Sequence, residues 1–365
     1  MAGAYIGLLC LICGVFFAVL GKPSDPQVPR AYNVSLDDPP ESRWDHVLKD
    51  YVNEVPNLIA TVRSLVPIQY LPVVEDLAVD LESYMPSPFP QELRGIAEAF
   101  TMDIGDIVLL NIIYDVTAFC TSIVSQDSNG TIWHARNLDF YYGDILRNMT
   151  IVVNFQKNGS TLYSATTYAG YVGIATGQRP HGYTVTVDTR GHHVHVGYWW
   201  ENAIMAFFDK SSWFVTFLVR QVLETVPKYS DAVSRLALEP IHAPVYFIVG
   251  GTKRDEGVVI TRDRIAAVNR MYMDVLQGRW YVLETNYDHW TTPPPYDAKR
   301  RATAIKAMNA LGMSGVNMTS LYGVLSTVPV LNENTTYSIV FSAAHPDISK
   351  TWIRWPNTTH RANYT

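Results

Sequence analysis

The sequence predicts an α+β or layered α/β fold, with a helical first third followed by strand-rich sequence that carries inserted helices. Two patterns predict it. Apolar residues recur at helical spacing before Cys120, and short runs flanking Asn- and Gly-containing turns take over after it. The composition, 48% hydrophobic and 17% charged over 365 residues, provides for a large core and excludes intrinsic disorder. That length fits one large domain or two ordinary ones.

From the N-terminus, an uncharged apolar run from Ala4 to Leu20 reads as a secretory signal peptide, residues 1–21, cut near Gly21, with a retained membrane anchor as the alternative. Residues from about 40 to 119 read as helical. Leu93, Ile96, Ala97 and Phe100 fall on one helix face, with Pro90 and Glu92 suited to its first turn. Asp103 is placed to cap a second helix, with Asp106 three residues on. After Cys120, Ser122–Ser125 and Thr131–His134 flank a turn at 127–130, and Ile151–Phe155 and Ser160–Thr166 flank another at 157–159. Further strands are expected at Tyr183–Val187, Val245–Val249, Val258–Thr261, Trp280–Glu284 and Ser338–Ser342. Helices are expected at roughly 200–225 and 296–311.

A net charge of −6 argues against nucleic acid as a partner. Glycosylation sequons at Asn33, Asn129, Asn148, Asn158, Asn317, Asn334, Asn357 and Asn363 agree with export. Of the three cysteines, Cys10 and Cys13 lie within the expected signal peptide, so the mature chain keeps only Cys120 and forms no internal disulfide. A lone exported thiol is either a small buried hydrophobe or a chemical group. At a helix-to-strand junction it is what an N-terminal nucleophile enzyme needs. The chain is cut before the cysteine, and the freed α-amine serves as the proton acceptor of its side chain. The thiol can make that cut itself by attacking the Phe119 carbonyl.

Phe119-Cys120-Thr121-Ser122-Ile123-Val124, followed by His134-Ala135-Arg136-Asn137-Leu138-Asp139-Phe140, resembles the acid amidase and acid ceramidase family. The likeness continues through Ala169–Gly173, Trp199–Ala203, Phe247–Thr252, Gly257–Arg262 and Glu284–Trp290. The resemblance implies the αββα sandwich of N-terminal nucleophile hydrolases, an alpha subunit at 22–119 and a catalytic beta subunit at 120–365. It implies a lysosomal amidase that needs no cofactor. Its two fragments stay together without a disulfide, since this chain lacks the extra cysteines of the ceramidases. By the same resemblance Cys120 is the nucleophile, with Arg136 and Asp139 as the pair beside it. Asp139 holds the α-ammonium, and Arg136 stabilises thiolate and carboxylate together. Asn286 is the oxyanion donor, and Glu201 is tied to self-cleavage in acid. The substrate implied is a fatty acyl amide, an N-acylethanolamine rather than ceramide.

Other features have less to say. Asp288 and His289 beside Asn286 read as structural. His192, His193 and His195 lack a Cys or a nearby carboxylate to complete a zinc site, so a loop is expected and no metal. The apolar segment with Leu65, Ile68, Tyr70, Leu71 and Val73 either packs on the core or docks on a membrane surface. HExxH, P-loop and GxSxG motifs are absent. The competing classes are an acid ceramidase, a bile-salt or penicillin amidase of the wider superfamily, and a non-enzymatic exported lipid-binding protein.

Overall fold

In the computed structural model two β-sheets stack face to face, and helices cover their outer sides. It describes residues 25–64, 79–80, 82, 84–112, 118–140, 143–191, 212–295 and 297–356. The larger sheet runs in the order β1 (Arg30–Ser35), β4 (Thr150–Lys157), β5 (Ser160–Tyr168), β6 (Thr176–Arg179), β7 (Tyr183–Thr189), β8 (Val245–Gly250), β9 (Gly257–Arg262) and β10 (Ala267–Tyr272). The smaller runs β11 (Tyr281–Glu284), β2 (Ala118–Gln126), β3 (Ile132–Phe140), β12 (Thr335–Phe341) and β13 (Lys350–Ile353). Every pairing is antiparallel except β1 with β4.

Helices α1 (Asp45–Leu48), α2 (Val55–Ser64), α3 (Phe89–Phe100), α4 (Ile104–Ile112), α6 (Val215–Thr225) and α7 (Tyr229–Leu238) share the hydrophobic core of the larger sheet. Helices α8 (Ala298–Leu311) and α9 (Met318–Leu325) cover the smaller one, and α5 (Gly143–Met149) leads into β4. This is the expected αββα sandwich. Because the sheets are covered on both sides, β2, β3 and β7 are buried on both faces. Along β7, Tyr183 faces the helices and donates to the Val222 carbonyl. Thr184, Thr186 and Asp188 alternate with it and face β2 and β3.

Both expected hairpins form. The second closes on Asn158 (φ 50°) and Gly159 (φ 75°), the left-handed pair that a tight two-residue turn requires. The segment 22–119 is not wholly helical, because β1 runs parallel to β4. Its sequence Arg-Ala-Tyr-Asn-Val-Ser buries only Val34 fully, so no periodicity announces a strand. Helix α4 does start directly after Asp103. The Asp106 carboxylate, however, accepts from Arg63 Nε and Nη2 at 3.2 and 2.9 Å. The short elements β6, β10, β13, α5, α7 and α9 carry patterns too brief to stand out.

The expected signal peptide lies outside the described residues, as do Leu65, Ile68, Tyr70, Leu71 and Val73. Among the described residues, no helix is long and apolar enough to cross a membrane. Asn33, Asn129, Asn148, Asn158 and Asn317 are exposed and Asn334 is half-buried, whereas Asn357 and Asn363 fall outside the described residues.

Candidate active site

Cys120 is the third residue of β2 and is fully buried. It pairs with Leu138, and Ser122 pairs with Arg136, so these four residues share the face that looks onto β7. Arg136 Nη2 donates to Cys120 Sγ at 2.9 Å and to the Val187 carbonyl at 2.7 Å. Its Nη1 donates to the Ala175 carbonyl and the Thr176 hydroxyl. A guanidinium pinned in this way stands ready to stabilise a thiolate. Burial pushes the Cys120 thiol up to about 12, with Arg136 pulling the other way and Asp188 adding to the rise.

Asp139 pairs with Phe119 and points to the opposite side of the hairpin, three residues from Arg136 on a strand of period two. It accepts from Thr335 Oγ1 at 2.7 Å, Asn332 Nδ2 at 2.8 Å and Arg300 Nη1 at 3.4 Å. Burial pushes its carboxyl up, against Arg300 and those hydrogen bonds. The expected Arg136–Asp139 pairing is thus corrected. Asp139 belongs with Arg300, and among the described residues the acidic neighbour of Arg136 is Asp188, 4.0 Å away. Burial pushes the Asp188 carboxyl up to about 7, opposed by Arg136 and by the Ser122 hydroxyl.

Asn286 follows β11 and reaches across to the start of β2. Its Oδ1 accepts from the Cys120 backbone N–H at 2.9 Å and from Arg300 Nη2 at 2.6 Å, and its Nδ2 donates to the Thr189 carbonyl at 2.8 Å. Two donors on one atom fix the amide's orientation. Arg300 also donates to the Cys120 carbonyl at 2.6 Å and is held by Asp297 at 2.8 and 3.0 Å. One guanidinium therefore touches Cys120, Asn286, Asp139 and Asp297. The loop is braced by Asp288, which accepts from Arg190 twice at 2.8 Å and from Tyr246 at 2.7 Å. His289 lies 3.2 Å from Glu284. An open cleft of about 530 Å³ has Trp280, Tyr287, His289 and Arg301 among its lining residues; Cys120 does not line it.

Residues 120–335 match the linear amide C–N hydrolases of the choloylglycine hydrolase family, and residues 27–85 match the beta subunit of N-acylethanolamine-hydrolyzing acid amidase. The Oryctolagus cuniculus N-acylethanolamine-hydrolyzing acid amidase is 45% identical over 331 residues, which cover 90% of each chain. The chain belongs to the N-acylethanolamine-hydrolyzing acid amidase family. It is an amidase acting on linear carbon–nitrogen amide bonds. A solved Caenorhabditis elegans family member, described as an ortholog, aligns with a TM-score of 0.58 at 38% identity, covering 64% of this chain and 99% of that one. Acid ceramidase of Bos taurus is similar at 36% identity over 85% of this chain and 82% of its own. The family description calls the 27–85 segment beta, whereas the expectation above labels residues 22–119 alpha.

Of the residues expected from sequence, Cys120, Arg136, Asp139 and Asn286 meet around the start of β2. Glu201, His192, His193 and His195 lie outside the described residues. Asp188, Asp297, Arg300, Asn332 and Thr335 were not anticipated. The i, i+3 spacing of Asp297 and Arg300 at a helix start is the signal that could have found those two.

Proposed function

We propose that this chain is a lysosomal precursor that cuts itself between Phe119 and Cys120 and then hydrolyses N-acylethanolamines. Palmitoylethanolamide would yield fatty acid and ethanolamine through a thioester on Cys120. The observation that carries this reading is the convergence on one residue: Arg136 at its sulfur, Asn286 at its backbone nitrogen and Arg300 at its carbonyl. The two family matches fall on either side of the proposed cut, one ending before it and one beginning at residue 120.

In the first step Sγ attacks the Phe119 carbonyl carbon through a five-membered ring, and the Phe119–Cys120 amide becomes a thioester as the Cys120 nitrogen takes a proton. Water then releases the Phe119 carboxylate and leaves Cys120 with a free α-amine. That amine, with a reference pKa of about 8, is protonated in an acidic compartment, so the working nucleophile is a thiolate beside its own ammonium. Attack on the substrate amide forms an oxyanion, and Asn286 Nδ2–H is the donor this reading assigns to it. Ethanolamine leaves with a proton, and water clears the acyl-enzyme. Glu201 contributes to the acid dependence of the cut.

The signal peptide at 1–21 and the sequons support passage through the secretory pathway, and the apolar segment at 65–74 gives the enzyme its contact with lipid surfaces. The fragments 22–119 and 120–365 remain a heterodimer without a disulfide, held by the β1–β4 pairing and by Asn111, which bonds Gly170 and Val172. The similarity to acid ceramidase favours one second reading, hydrolysis of N-acylsphingosine. An apolar channel gains about 0.8 kcal/mol per buried methylene and reads acyl length weakly, so the head group must discriminate. Acidic assays of detergent-dispersed palmitoylethanolamide beside short-chain ceramide decide between them. Faster ceramide cleavage would move the chain to the ceramidase activity.

A further inference from the structure

A buried chain of hydrogen bonds runs from Asp188 to the far end of the hairpin. Asp188 Oδ1 lies 2.7 Å from Ser122 Oγ, and Ser122 Oγ lies 2.8 Å from Thr186 Oγ1. Thr186 Oγ1 is 3.0 Å from His134 Nε2, and His134 Nδ1 is 2.9 Å from Thr184 Oγ1, which donates to the Gly250 carbonyl at 3.2 Å. All five side chains are buried to 1% exposure or less. Asp188 Oδ2 has no hydrogen-bond partner among the described residues. The mechanism proposed above uses none of these groups.

Each hydroxyl has one hydrogen, so the chain can point only one way at a time. With Asp188 ionised, Ser122 donates to it and Thr186 donates to Ser122, which obliges His134 to donate from Nε2. Nδ1 then needs the Thr184 hydrogen, and the Gly250 carbonyl loses it. With Asp188 protonated, the run reverses from Asp188 through Ser122 and Thr186 to Nε2, while Nδ1 donates to Thr184 and Thr184 to Gly250. Every hydrogen is then placed. The unpartnered Oδ2 becomes a neutral carbonyl oxygen, cheaper to leave bare than a carboxylate oxygen. Burial holds His134 well below its ordinary range, so the two states differ in tautomer and not in ring charge.

We propose that Asp188 is an acid-sensitive positioning residue for Cys120: once protonated, it no longer competes with the Cys120 sulfur for the charge of Arg136, and it reverses the hydrogen-bond chain that ends at His134. Arg136 Nη2 is 2.9 Å from Sγ and 4.0 Å from the nearer Asp188 oxygen, so the two acids compete for one guanidinium. An ionised Asp188 opposes a second negative charge on Cys120; a neutral one does not. The other groups that face Asp188 are Ser122 on β2, Arg300 and Arg301 on α8 and Tyr337 on β12, with His134 reached only through the hydroxyls. Of these, the Ser122 hydroxyl and Arg300 favour the ionised form and work against the switch.

The effect on rate rests on the self-cleavage reading, whereas the hydrogen-bond reversal does not, so the two are tested separately. In a Cys120→Ala chain labelled with nitrogen-15 histidine, the protonated and bare nitrogens of His134 should exchange places between neutral and acidic pH without an imidazolium appearing. Asp188→Asn and Ser122→Ala should each hold one tautomer throughout. In the chain with Cys120 intact, Asp188→Asn should speed cleavage at neutral pH about tenfold for each pH unit by which that pH exceeds the Asp188 titration, flattening the pH profile. A His134 tautomer that never changes in the Asp188 chain overturns the proposal, as does an Asp188→Asn profile that keeps the parent's slope. If the parent is never cut while the tautomers do exchange, self-cleavage fails and the switch stands.

Discussion

Two of the buried arginine–carboxylate centres among the described residues are built to opposite specifications. At the first, Arg220 on α6 donates to both oxygens of Glu92 on α3 at 2.6 and 2.5 Å. Those same oxygens also accept from Arg43 at 2.9 Å and Trp44 at 2.8 Å. Phe89 and Phe155 lie against the guanidinium at 5.3 and 5.1 Å. Burial pulls the Arg220 guanidinium down, but Glu92, joined by Tyr163 and Glu224, holds it above its ordinary range. At the second, Arg136 and Asp188 stay 4.0 Å apart, and one Asp188 oxygen has no hydrogen-bond partner among the described residues. A saturated buried pair fixes structure, while a pair left short keeps a proton equilibrium within reach of physiological pH.

The comparison breaks most visibly if Glu92 is removed. Glu92→Ala strands two buried arginines and should cost about 3–5 kcal/mol of unfolding free energy, read by urea denaturation. A loss under about 1 kcal/mol would mean that the first centre does not lock the segments on either side of residue 119. At the second centre the large effects should be kinetic. Asn286→Ala should lower turnover about 100- to 1000-fold, roughly 3–4 kcal/mol, with little change in KM. Unchanged turnover in a fully processed protein would remove Asn286 from the mechanism.

Smaller effects sharpen the contrast through pH. The Asp188 carboxyl is raised in the fold from an ordinary 3.8 to about 7, so the folded chain keeps a proton that the unfolded chain gives up between those values. Its contribution is fully present below the unfolded value and is lost as pH rises through the folded one. The thermal midpoint of the Cys120→Ala chain should therefore fall on going from acidic to neutral pH by more than that of the Cys120→Ala, Asp188→Asn chain. Equal slopes would leave Asp188 without a shifted titration. The smallest effect expected is none at all. Cys120 is the only cysteine after residue 21, so a reductant should leave the association of the fragments unchanged.

Much of the second centre was legible in the sequence, and little of the first. Cys120, Arg136 and Asp139 stand close together on one hairpin, and the family motif marks them. The pairing of Arg136 with Asp139 misled because residues three apart on a strand point to opposite faces. Asp188 was missed because Thr184, Thr186 and Asp188 read as the solvent side of an amphipathic strand. Only the stacking of the second sheet turns that polar face inward. Arg300 and Arg301 sit in the charged run Lys299-Arg300-Arg301 at the start of α8, which reads as a solvated helix end, yet both are buried. Glu92 looked like an ordinary first-turn acid, because its partners Arg43 and Arg220 are 49 and 128 residues away. Long-range charge pairing leaves no local period to read.

The central claim, that the unsaturated centre performs chemistry on its own chain, is tested most directly by an intact-mass spectrum of the deglycosylated protein before and after incubation in acid. The account predicts a single species that becomes two, with the larger fragment beginning at Cys120, while Cys120→Ala stays whole under the same treatment. Cleavage at any other bond, or cleavage of the Cys120→Ala chain between Phe119 and residue 120, would contradict it.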